Sequence, residues 1–396
     1  MQKFLKTTLT AKLPKLAATL ALGLGLAGGM LTSANAETLK IGVIGPLTGP
    51  GAPWGLAMAE GAKILARDYN AKGGLQIGGK NYQVEIVAYD DHFKAQDALA
   101  AYQRLVTFDG VKYIAVAAGA STFAIKPKMD DDKVVVMTAG YLANLLDPNS
   151  KLMYRMWGIP ADYYPSIYRW LKDNTKERRV VMLSPDDESQ REMVTMSDKL
   201  LKQHGYTILD TQMYEKTLRD FLPLLTRVLA LKPEIIDLGG TAPATAAVIV
   251  RQAREFGYKG TFFIPGSSAW REVLDGAGPA AAEGVINMVY VDPANESYKR
   301  FAAEYKKIVN QEPNESLAPY SDGVNILIQS IVKSGAVGDT SKFEEGFKKA
   351  LPMKSIQGDM LTIGGGMAHG IDHQVAAFRY IGMIKNGQLK VMGKIQ

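Results

Sequence analysis

The chain has 396 residues, no cysteine and a formal net charge of +6. Without cysteine there is no disulfide framework, no thiolate chemistry and no cysteine to carry a lipid. Lys3, Lys6, Lys12 and Lys15 belong to an acid-free leader; beyond residue 36 the count is 42 basic against 40 acidic residues, or +2, which removes the basic stripe that nucleic-acid binding requires.

The elements begin with that leader. Its basic front, the apolar run Leu16–Met30 and the small-x-small site Ala34-Asn35-Ala36 predict an export signal cleaved after Ala36. The run is short of the ~20 apolar residues that span a bilayer. A released protein in the periplasm is therefore expected, with no direct membrane anchoring. The 360 residues that follow suggest about two domains.

Past the leader, short apolar runs rich in β-branched residues alternate with helical patterns. Strands are predicted at Leu39–Ile44, Gln83–Tyr89, Lys112–Ala118 and Lys133–Thr138, with helices at Gly55–Asn70, Ala95–Phe108 and Thr122–Asp130 between them. A second round gives strands at Arg179–Ser184, Tyr206–Gln212, Ile235–Gly239 and Thr261–Pro265, with helices at Glu188–His204, Phe221–Ala230 and Ala244–Phe256. Between the rounds, Arg155–Ala161 leaves room only for a hinge. After Gly284–Val291 come helices around Tyr298–Val309, Pro319–Ser334 and Ser341–Leu351. The tail reads as strand Val375–Ile384, an Asn386-Gly387 turn and strand Gln388–Met392. Such alternation predicts an α/β fold with two parallel sheets covered on both faces. Ligands of such sheets bind beyond the strands' carboxyl ends.

Signatures of catalysis are weak. The Gly-x-Gly-x-x-Gly at Gly23, Gly25 and Gly28 lies in the leader, and Gly74–Lys80 fails as a phosphate loop because Asn81 stands where Ser or Thr is needed. No Gly-x-Ser-x-Gly elbow is present, and no paired base accompanies Gly266-Ser267-Ser268. His369 and His373 follow three glycines and are not expected to form a metal site. No enzyme activity, cofactor or metal is expected.

Binding signatures are stronger. Gly119-Ala120-Ser121-Thr122 follows a strand and opens a helix, so its hydroxyls either cap that helix or join backbone N–H groups on a carboxylate. Trp54 follows a Gly/Pro-rich turn, which favours a loop position lining a site over core packing. With Phe123, Gly140, Tyr141 and Leu142 it would form an apolar or aromatic wall.

With these residues placed, the chain resembles the leucine/isoleucine/valine-binding family of periplasmic receptors for ABC transporters. The resemblance rests on Ile41-Gly42-Val43, Pro46-Leu47-Thr48-Gly49, Trp54-Gly55, Gly61-Ala62, Asn70-Ala71-Lys72-Gly73-Gly74 and Tyr89-Asp90-Asp91. It continues through Gly239-Gly240, Arg251-Gln252-Ala253-Arg254 with Gly257, and Ala282-Glu283-Gly284-Val285. The resemblance implies the type I periplasmic-binding-protein fold: two Rossmann-like lobes, a hinge of three crossovers and an interlobe cleft. Lobe 1 would take residues 38–158 and 290–378, and lobe 2 residues 159–289 and 379–396.

It further implies a small-molecule solute and inner-membrane ABC permease subunits as partners. An amino-acid receptor of this family holds the α-carboxylate at positions matching Ala120, Ser121 and Leu142, where Leu142 replaces a Thr. It holds the α-ammonium with an acid where this chain has Gly266. Ser189 and Thr241 replace tyrosines of the second lobe's wall, with Ser267 beside them. Arg191 and His92 would add positive charge. Phe93 and Gly119 stand where the family's first-lobe disulfide would be. The expected solute is therefore a carboxylate without an α-amino group, apolar or aromatic. The alternatives are a true branched-chain amino acid receptor or the ligand-sensing partner of a membrane signalling protein.

Overall fold

The computed structural model describes residues 36–266 and 270–395; the leader before Ala36 lies outside the described residues. The chain starts with strand β1 (Glu37–Gly45), whose interior positions are buried on both faces. Helix α1 (Ala52–Ala71) follows, begun by Pro53 at a position where a missing N–H costs nothing. A hairpin of β2 (Leu75–Ile77) and β3 (Lys80–Asp90) leads to α2 (Ala95–Thr107), β4 (Tyr113–Val116), α3 (Gly119–Met129), β5 (Val135–Thr138) and β6 (Met153–Arg155). The short strands β4 and β5 are buried at every position, which is why they read as unbroken apolar runs.

A first crossing, Met156–Ile159, enters helix α4 (Pro160–Asn174). The stretch Arg155–Ala161, expected as a hinge, holds the end of β6, this crossing and the first two residues of the 15-residue α4. Next come β7 (Arg179–Pro185), α5 (Glu188–Gln203), β8 (Thr207–Tyr214), α6 (Leu222–Ala230) and β9 (Ile235–Asp237). They are followed by α7 (Pro243–Glu255), β10 (Thr261–Ile264), α8 (Trp270–Ala277), α9 (Pro279–Ala282) and β11 (Ile286–Val289).

A second crossing, Tyr290–Asn295, leads to α10 (Glu296–Val309), α11 (Leu317–Ser334), α12 (Phe343–Ala350), β12 (Met353–Lys354), β13 (Met360–Gly364), α13 (Gly366–His369) and β14 (Gln374–Ala376). Helices α10 and α11 stop where Asn310 and Gly335 take left-handed conformations. Ala377 and Phe378 form the third crossing, and β15 (Arg379–Lys385) and β16 (Gln388–Ile395) close the chain. Their link, Asn386-Gly387, has φ of 53° and 70°, as a two-residue hairpin turn demands.

These strands make two sheets. The nine-stranded one has the order β12-β13-β14-β6-β5-β4-β1-β3-β2, and the seven-stranded one β16-β15-β11-β10-β9-β7-β8. Strands β14, β6, β5, β4, β1 and β3 run parallel, as do β11, β10, β9, β7 and β8. The strand predicted over Val375–Ile384 is in fact two, one in each sheet, broken at Ala377-Phe378. Among the described residues no helix is long and apolar enough to cross a membrane.

Candidate functional site

In the nine-stranded half, the carboxyl ends of the parallel strands point one way, and Trp54, Phe93, Phe123 and Tyr141 follow β1, β3, β4 and β5 there. Trp54 lies in the first turn of α1, not in the preceding loop, and packs 6.0 Å from Phe93. Its place is set by Gly55, where a Cβ would stand 2.0 Å from the Pro46 carbonyl oxygen. Phe93 and Phe123 are each 52% exposed, so this edge carries bare aromatic surface.

Ser121 and Thr122 lie below that surface. Ser121 Oγ donates to Asp91 Oδ2 at 2.6 Å, and Thr122 Oγ1 donates to the Ala118 carbonyl at 2.8 Å while meeting Thr138 Oγ1. Both hydroxyls are therefore engaged with the frame. Burial pushes the Asp91 carboxyl above its ordinary range, and the Ser121 hydroxyl opposes that rise.

What α3 does offer is its start. No side chain caps it, and Thr122 N–H is the first to bond back, to Ala118 O at 3.0 Å. The N–H groups of Gly119, Ala120 and Ser121 precede that first bond, as at any helix start. Gly140 packs against this point so closely that a Cβ there would sit 2.7 Å from Gly119 Cα. The Leu142 carbonyl accepts from Arg155 Nη2 at 2.6 Å, which fixes the loop beside it. Arg155 is buried, its Nη1 donates to Gln374 Oε1 and meets His369 Nε2, and burial pulls its guanidinium down to about 10.

Tyr141 opens an aromatic stack that sequence reasoning did not anticipate. Its ring lies on Trp157 (5.7 Å), which stacks on Tyr290 (5.1 Å) and Tyr320 (4.9 Å). Its hydroxyl pairs with that of Tyr290, and Trp157 Nε1 donates to Ala139 O at 3.0 Å. Trp157 belongs to the first crossing and Tyr290 to the second. Burial raises the Tyr141 and Tyr290 phenols above their usual range.

In the seven-stranded half, Gly266 ends the run after β10 and is buried. A Cβ there would meet Tyr164 Oη at 2.6 Å and Gly240 N at 3.2 Å, so a side chain fits only if Tyr164 gives way. Thr241 is buried and accepts from Tyr214 Oη at 3.0 Å. Arg191 is a surface residue whose side chain, 64% exposed, pairs with Asp186 at 2.6 Å. Ser189 lies in α5, but its side chain, like Ser267, falls outside the described residues. His92 is exposed beside Asp90 and Asp97.

The structure thus brings Trp54, Ala120, Phe123, Gly140, Tyr141 and Leu142 to one edge of the first sheet, and leaves Arg191 outside. A cavity of about 290 Å³ opens elsewhere, between Trp270 and Arg271 of α8 and Tyr298, Lys299 and Lys306 of α10. Among the described residues no cluster of three or more His, Cys, Asp or Glu could hold a metal ion. His373 stacks 4.1 Å from Tyr154, His369 Nε2 meets Arg155 Nη1, and burial lowers both imidazoles.

Comparison with known proteins follows this geometry. A family model described as periplasmic binding protein matches residues 38–388. The leucine-, isoleucine-, valine-, threonine- and alanine-binding protein of Pseudomonas aeruginosa is 25% identical over 346 residues, covering 86% of this chain and 88% of the relative. The Leu/Ile/Val-binding protein of Escherichia coli is 28% identical over 258 residues, 64% of this chain and 68% of its own. Among solved structures, a leucine binding protein of Thermotoga maritima superposes with a TM-score of 0.75 at 22% identity, covering 90% of this chain and 98% of that one. An ABC-transporter solute binding protein of Rhodopseudomonas palustris, in complex with 3,4-dihydroxybenzoic acid, gives 0.74 at 21% identity, covering 90% and 97%. Two mainly parallel sheets joined by three crossings, with this match over nearly the whole described chain, make it a member of the periplasmic binding protein family, with the leucine/isoleucine/valine-binding proteins of ABC transporters.

Proposed function

We propose that the chain is the periplasmic receptor of an ABC importer and captures a small carboxylate-bearing solute, apolar or aromatic, without an α-amino group. The halves built on the two sheets, residues 38–158 with 290–378 and 159–289 with 379–396, close on the solute about the three crossings. The closed form then engages an inner-membrane permease. A solute that bonds to both halves favours the closed state by its extra contacts there.

The observation that carries this reading is Gly266. The resemblance puts an acid there to hold an α-ammonium, and here the position has no side chain and Tyr164 Oη crowds the place of its Cβ. A buried ammonium without an anionic partner would cost several kcal/mol. The uncapped start of α3, by contrast, suits a carboxylate. The bare rings of Phe93 and Phe123, with Trp54 beside them, suit an apolar body. That one structural neighbour carries 3,4-dihydroxybenzoic acid agrees with this choice. The relatives named for leucine, isoleucine and valine favour a second reading, a branched-chain amino acid receptor.

Thermal unfolding with a ligand panel separates the two. A ligand at 100 times its dissociation constant adds about 2.7 kcal/mol of stability. Benzoate-type or aliphatic acids should raise the midpoint while leucine and valine leave it unmoved; the reverse pattern overturns the proposal.

A further inference from the structure

Arg379 is the first residue of β15, directly past the third crossing, and is 2% exposed. Its guanidinium lies 5.1 Å from the ring of Tyr290, 5.5 Å from Tyr163 and 5.8 Å from Trp157. Those rings stand on or next to the other two crossings, so the charge sits where all three meet. Nη1 donates to the Phe378 carbonyl at 3.1 Å. Among the described residues Nε and Nη2 have no hydrogen-bond partner, and neither has the buried hydroxyl of Tyr163.

The pair of unpartnered atoms is informative. Nε–H and Nη2–H point the same way from the planar group and form its side edge, which meets a carboxylate through two parallel hydrogen bonds. Aromatic faces attract the cation but offer no lone pair of comparable strength. Buried charges are ordinarily paired, and here a whole bidentate edge is left open. It is closed from solvent in this conformation, and Tyr141 of the first sheet lies over the stack, bonded to Tyr290. Rotation about the crossings would part Tyr141 from Tyr290 and open a way to the edge.

We propose that the Nε–Nη2 edge of Arg379 receives a second carboxylate of the solute, with the Tyr163 hydroxyl as a further donor, so that the cleft takes a small dicarboxylate. This rests on the reading of the α3 start as the seat of the first carboxylate. The charges agree with it: the acid of the amino-acid receptors is replaced by Gly266, and a cation without an acidic hydrogen-bond partner stands at the crossings. Tyr141 starts beside Gly119 at the α3 start and its hydroxyl reaches Tyr290, the ring next to Arg379, which suits a flat or extended spacer.

Calorimetric titration of the purified protein tests this with benzene-1,4-dicarboxylate and hexanedioate, against benzoate and hexanoate as their single-carboxylate counterparts. At least one diacid should bind about tenfold or more tightly than its counterpart, the gain expected of one charge-assisted pair. Arg379→Gln should weaken that diacid by a similar factor and abolish the preference, and Arg379→Lys should restore part of it. If the monoacids bind and neither diacid is preferred, the dicarboxylate inference falls while the carboxylate receptor stands. A preference that survives Arg379→Gln also overturns it. Binding of leucine alone overturns both. The wild-type comparison decides the matter even if Arg379→Gln does not fold.

Discussion

Asp322, inside α11, is 6% exposed and accepts a hydrogen bond from Ile356 N–H at 2.8 Å. Burial, with some help from Asp359, pushes its carboxyl from 3.8 to about 8. The folded chain therefore holds a proton that the unfolded chain releases between those values, and stability falls as pH rises across that window. Asp322→Asn keeps the accepting oxygen and cannot ionise. The variant should gain on the wild type in melting temperature from pH 4 to pH 8, and scans at several pH values will show it. At this scale the sequence was least legible. Ser121 reads as a ligand hydroxyl, yet its bond goes to Asp91, a partner brought near only because β3 and β4 flank β1 in the sheet. Arg379 was missed because it falls inside the apolar run Val375–Ile384; a charge in the middle of that run was the signal that could have found it.

Helices and strands were far more readable, because burial on one face or two leaves a periodic mark. Predicted and observed limits of β1, β3, α2, α5 and α6 differ by a few residues at most. Helix α4 escaped because Trp157-Gly158-Ile159-Pro160 looks like a break. Pro160 in fact starts the helix, and the buried stripe Tyr163, Tyr164, Ile167, Tyr168 and Leu171 has helical spacing. Helix α1 shows what two of its glycines do. Gly55 lets the helix start press on the Pro46 backbone, and Gly61 lets it approach Ser321 of α11. A methyl group at Gly55 cannot be absorbed by turning a side chain, since its obstacle is a carbonyl. Gly55→Ala should cost about 1–3 kcal/mol, measured by urea denaturation, and should weaken solute binding through the displaced Trp54.

Among the described residues the two halves share few polar contacts besides the crossings. Asn314 Nδ2, between α10 and α11, donates to Glu272 Oε1 of α8 at 3.1 Å, and burial raises that carboxyl. Asp359 of the first half accepts from Tyr380 and meets Lys394 at 2.7 Å, both of the second. If closure carries function, these contacts belong to the closed form. Asn314→Ala should then weaken solute binding by about tenfold, the worth of one hydrogen bond to a charged group, with the fold intact by circular dichroism. The crossings themselves were only partly legible: composition gave two rounds of strand and helix, but no local pattern says that a strand returns to an earlier sheet.

That return governs how the chain can be made. β14 lies beside β6, with Gln374 bonded to Arg155 across 219 positions, and β15 covers β11. A chain that emerges from its amino end holds both sheets unfinished, with β6 and β11 uncovered, until nearly its last residue is available. Long-range pairing of this kind is slow, and open edges invite other chains. A product cut short before Gln374 would lack the strands that cover β6 and β11, and self-association is the expected fate of such a fragment.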